Sequence, residues 1–110
     1  MDCFVCDTCG QDVKVYEGIL SWLNKDGELS NFRVTHRDDV DAQRKCEVRG
    51  NNERQDLYKV SSFTGYLEFV QDLLSWWTKG FHIKDFERLK EIMGTLSLYI
   101  NEKLSTLIGE

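Results

Sequence analysis

The sequence predicts an α+β fold in which a knuckle and β-hairpin N-terminal half packs on a C-terminal antiparallel helical hairpin. Three observations predict it. Three cysteines crowd the first nine residues, two β-rich stretches flank an Asp-Gly pair, and the second half carries two long apolar stripes at helical spacing. The chain has no proline, and no repeat or low-complexity tract marks a linker. At 110 residues and 12.9 kDa it reads as a single compact domain over 1–110. Residues 1–50 supply the knuckle, hairpin and a short helix, 51–60 a loop, and 61–110 the two helices. A core this small is marginal by surface-to-volume scaling, so a metal, a disulfide or a partner subunit is the expected supplement.

The first element is the cysteine cluster. Cys3, Cys6 and Cys9 are spaced by two residues each, and Cys6-Asp-Thr-Cys9-Gly10 has the form of a zinc knuckle. A two-residue gap lets both thiolates reach one ion, and a glycine after the second cysteine accepts the positive φ of the tight turn. Next, Val13–Leu23 is rich in β-branched and aromatic residues and Leu29–His36 alternates apolar with polar, so both read as strands. Asp26-Gly27 between them suits a tight hairpin turn, and the strands pair antiparallel. Phe32, Val34 and His36 then share one face, which carries His36 back toward the knuckle. Asp38–Cys46 reads as a short helix with acids at its start and basic residues at its end.

The second half is helical. Phe63, Tyr66, Leu67, Val70, Leu73, Leu74 and Trp77 recur at three- and four-residue steps, with Ser61, Ser62 or Thr64 as caps and Gly80 as the stop. Ile83, Phe86, Leu89, Met93, Leu96, Ile100, Leu104 and Leu107 make the second stripe, with Gly94 a point where the helix can bend. His82 reads as a cap or surface residue at its start. Phe69 and Trp76 fall off the first stripe. They form either an exposed partner-binding patch or packing beneath the hairpin.

A closed tetrahedral metal site needs two ligands beyond the knuckle pair. His36 and Cys46 supply them, giving a Cys₃His set of Cys6, Cys9, His36 and Cys46, with Cys3 as the alternative ligand or a free thiol. The cofactor expected is structural zinc. Taken singly, each ligand has a plainer reading: a lone cysteine packs as a small hydrophobe, and a lone histidine on an apolar face is hydrogen-bonded core. The count of four is what favours metal.

Several function classes are disfavoured. The net charge of −5 argues against a general phosphate-backbone binder. Only residues 33–59 are basic, and their seven cations are interleaved with six carboxylates. The start carries no basic and apolar leader pattern, and no apolar run approaches the roughly 20 residues of a membrane span, so a cytoplasmic protein is expected. Catalytic-zinc patterns such as H-E-x-x-H are absent, no phosphate-binding glycine loop occurs, and nothing activates a Cys46–His36 nucleophile pair. The chain reads as a non-enzyme.

CDTCG, EGILSWL, the strand ending FRVTH, the following cysteine, GYLEFVQDLLSWW and HIKDFERLKEIMG together resemble a family of small uncharacterised bacterial proteins, found particularly in bacilli. The resemblance spans most of the chain and is weakest between His36 and Cys46 and in the last helix. It implies a zinc-ribbon-like first half, a helical second half, and metal ligands at Cys6, Cys9, His36 and Cys46. It implies no activity. The function expected is a zinc-stabilised module that binds another macromolecule, a protein before a nucleic acid, with self-association through the last helix as a further partner reading.

Overall fold

A computed structural model describes residues 4–39 and 45–107. Two short strands, β1 (Phe4–Val5) and β2 (Asp12–Val13), pair antiparallel and frame the knuckle. A 3₁₀ turn, Val15–Glu17, separates them from β3 (Gly18–Lys25), so the β-rich stretch from Val13 is two strands rather than one. Gly18 makes the close approach after this turn, since a Cβ there would lie 2.7 Å from both Leu57 Cδ2 and Val13 Cγ1. β4 (Glu28–His36) returns antiparallel to β3. Asp26 and Gly27 connect them with φ of 54° and 78°, the paired left-handed geometry that matches strand twist.

The ladder slips between Ser21 and Leu23, and Asn31 takes a φ of 56°. This bulge has a cause in the sequence. Two polar residues separate Leu29 from Phe32, and strict alternation would send Leu29 to the opposite face. One extra residue restores it, and Leu29 and Phe32 are both fully buried. The core face of the hairpin therefore carries Leu20, Trp22, Leu29, Phe32 and Val34, with His36 at its end.

The stretch 51–60, expected as a loop, is structured. β5 (Glu53–Asp56) pairs antiparallel with β3, and α1 (Leu57–Val60) follows. Strand propensity in Glu-Arg-Gln-Asp is low, so backbone pairing with Ile19–Trp22 decides the outcome, and charged side chains suit an edge strand. Of the short helix expected over 38–46, residues 40–44 lie outside the described residues.

α2 (Phe63–Thr78) starts at Ser62, whose hydroxyl accepts from Gly65 N at 3.0 Å, and Gly80 ends the helical segment with a φ of 91°. Gly65 packs against the last turn of α1, where a Cβ would collide with the Lys59 carbonyl. Gly65→Ala is expected to cost about 3 kcal/mol, because backbone must move, and a denaturant melt reads the loss. The connection out of α2 adds β6 (His82–Ile83), parallel to the start of β4, completing a sheet of order β5-β3-β4-β6. His82 is thus a strand residue with an exposed side chain, and α3 (Phe86–Leu107) begins later. α3 runs through Gly94 without a break.

Of the two readings of Phe69 and Trp76, the structure shows packing beneath the hairpin. Both pack on Trp22, with ring centroids 5.7 and 5.9 Å away, and Phe69 is buried. α2 carries two adjacent apolar strips, Tyr66/Phe69/Leu73/Trp76 and Phe63/Leu67/Val70/Leu74/Trp77. Periodicity alone merges them, and Trp22 on β3 selects the first. In α3 the buried side is Leu89, Ile92, Leu96 and Ile100, so Ile92 joins and Phe86 and Leu104 stay exposed.

Candidate metal centre

The knuckle is built by local hydrogen bonds. Gly10 N donates to Cys6 O at 2.9 Å, Cys6 N to Gln11 O at 2.8 Å, and Cys9 N points at Cys6 Sγ at 3.5 Å. Gly10 holds a φ of 79°, the left-handed turn its lack of a side chain permits. Asp7, inside the knuckle, fixes it to the sheet: its N–H donates to Val34 O and its carboxylate accepts from Val34 N, both at 2.8 Å. The same carboxylate takes Arg88 Nη2 at 2.7 Å, which ties α3 to the knuckle. Burial would lower the Arg88 pKa, but Asp7 and Glu91 raise it and keep the guanidinium charged. Asp7→Ala is expected to lower stability by about 1–3 kcal/mol, since a strand N–H and a guanidinium lose their acceptor together; urea unfolding measures it.

His36, opposite Gly18 at the end of β4, turns toward the knuckle. Its Nε2 lies 3.0 Å from the Asp12 carbonyl oxygen, which can only accept, so Nε2 carries the proton. Nδ1 is left with its lone pair, 3.6 Å from Cys9 Sγ. Cys46 lies just beyond residues 40–44, next to Glu47. Asp38 N donates to Glu47 Oε2 at 2.9 Å and Glu47 N to Asp38 Oδ1 at 3.1 Å, a reciprocal clasp that holds the neighbour of Cys46 to the residues after β4. Thr8 Oγ1 donates to Cys46 O at 2.6 Å, and Arg54 holds Glu47 at 2.7 Å.

The four residues nominated by spacing are brought together. One donor atom from each of Cys6, Cys9, His36 and Cys46 lies within 4.8 Å of every other, and the group can hold a metal ion. Cys6, His36 and Cys46 are buried, while Cys9 is partly exposed. Cys3 lies outside the described residues. The clasps at Asp7 and at Asp38–Glu47 escape sequence reasoning, because acids flanking a cysteine look like ordinary surface charge.

The sulfurs differ in their electrostatics. Burial alone would raise the Cys6 thiol, but the backbone N–H groups of Cys9, His36 and Thr8 and the His36 ring hold it down to about 6. Cys46 goes the other way, pushed up to about 12 by burial and by the neighbouring Cys6 and Cys9 sulfurs. Three thiolates cannot share this space without a positive charge among them. A divalent ion would supply it.

Comparison with protein-family models, with curated protein sequences and with solved structures finds no match to this chain. Among the described residues no helix is long and apolar enough to cross a membrane.

Proposed function

We propose that the chain is a small non-enzymatic module, held by a structural zinc, that acts by binding another macromolecule, and that this macromolecule is a protein. The donor set carries the reading: three thiolates and one imidazole fill a tetrahedral zinc shell with protein atoms and leave no position for water or substrate. In such a shell, with Zn–S of about 2.3 Å, ligand atoms stand roughly 3.5–3.8 Å apart. Cys9 Sγ and His36 Nδ1 have that spacing at 3.6 Å. The widest separation is no more than 4.8 Å, so closing onto zinc takes a movement of about 1 Å. The Asp12 carbonyl bonded to His36 Nε2 is the outer contact expected of a zinc-ligating histidine.

Charge pairing supports a protein partner over a nucleic acid. Arg33 meets Asp85, Arg37 meets Asp39 and Asp56, and Arg54 meets Glu47, so three of the seven cations in the basic stretch are paired within the chain among the described residues. Phosphate binding needs cations free to release counterions. The test is elemental analysis with a binding assay on the same sample. One zinc per chain and no binding to duplex or single-stranded DNA or RNA at about 0.15 M salt are expected. Nucleic-acid binding with a steep salt slope would replace this reading with that of a zinc-ribbon regulator.

A further inference from the structure

The outer strip of α2 consists of Phe63, Leu67, Val70, Leu74 and Trp77, at steps of four, three, four and three residues. A 4-3-4-3 stripe has a period of 3.5, the spacing at which one helix pairs with another along its length. Core packing does not use it. The buried side of α2 is the neighbouring strip on Trp22, and on the outer strip Phe63, Leu67, Leu74 and Trp77 are exposed by 56%, 44%, 56% and 68%. Phe86 of α3, 55% exposed, continues the strip across an apolar groove of about 400 Å³ between the helices.

We infer that this strip pairs with the same strip of a second copy, the two α2 helices running antiparallel across a two-fold axis near Val70. The inference rests on the reading of the chain as a protein-binding module and names its partner. Two observations select a copy of the chain as the occupant. The first is charge. The residues directly beside the strip on its solvent side are Thr64, Gln71 and Thr78, all exposed and uncharged; Glu68 lies further round the helix and Lys90 lines the groove on the other side. A self-pairing helix therefore sets no like charges directly against one another along this side of the seam.

The second is area. At roughly 150–250 Å² for each fully exposed large side chain, the five exposed residues leave about 500 Å² of apolar surface in water per chain, at the upper end for a monomer. Two copies face to face bury about 1,000 Å² from these side chains alone, and the flanks raise the total to the range of specific dimers. Antiparallel pairing sets Trp77 of one copy beside Phe63 of the other and opposes the helix dipoles.

Native mass spectrometry and light scattering of the intact chain test this, alongside the L74E/W77E and F63E/L67E variants. All four side chains are exposed, so both variants are expected to keep the wild-type circular dichroism. The wild type is expected at twice the chain mass at tens of micromolar. Each variant is expected to be monomeric, with dimer dissociation at least a hundredfold easier. A wild-type monomer at 100 μM, or a dimer that survives both pairs of substitutions, overturns the inference. Metal content is read from the same spectra, so a zinc-loaded monomer removes the pairing and leaves the module reading standing. A metal-free chain removes the zinc instead.

Discussion

His36→Ala is expected to abolish metal binding and unfold the N-terminal half. Nδ1 of His36 is the one nitrogen donor of the set, and Nε2 ties β4 to the Asp12 carbonyl, so truncation removes a ligand and a strand contact at once. Apparent binding free energies of structural zinc are about 10–16 kcal/mol, as large as the whole stability of a small domain. Binding energy at such a site is folding energy. Cys9→Ser is expected to act alike. Near-ultraviolet circular dichroism reports the loss, because Trp22, Phe32, Phe69 and Trp76 form one stacked cluster on the sheet. A His36→Ala protein that binds no metal yet melts like the wild type would contradict the account.

Acid is expected to release the metal, with a slope that steepens near pH 6. Without metal, Cys46 titrates at about 12 and is protonated throughout the physiological range, so zinc must displace that proton. Cys6 titrates at about 6 and is mostly ionised at pH 7 but not at pH 5. The sign follows from the metal depressing both thiol pKa values: binding is favoured at high pH and lost as pH falls. Cys46 contributes one released proton at every pH, or tenfold in affinity per unit, and Cys6 adds one more below about pH 6, beside those that the other two ligands release. Competition with a chromophoric chelator between pH 5 and 8 measures the slope. A slope that does not change across pH 6 would show that Cys6 is not the low-titrating ligand.

The candidate site was legible because its residues punctuate the chain. Cys6, Cys9 and Gly10 declare a turn, Asp26-Gly27 declares a hairpin, and the strand period carries His36 to the right face. Only the count of ligands pointed to Cys46, since the Asp38–Glu47 clasp beside it depends on two side chains nine residues apart meeting each other's backbone N–H. β5 was illegible for a related reason, because a strand of charged residues exists only by virtue of the β3 edge it pairs with. The rotation of α2 was hidden by abundance. With apolar residues on two neighbouring strips, the choice of inner face belongs to Trp22, some forty residues earlier in sequence.

The most direct test of the central claim is the mass of the untagged protein sprayed from native buffer under reducing conditions, set against its denatured mass. The account predicts one zinc for each chain, bound with the loss of the thiol protons, and lost in the His36→Ala variant. A wild-type chain that carries no metal under these conditions would contradict it and leave Cys6, Cys9 and Cys46 as ordinary thiols.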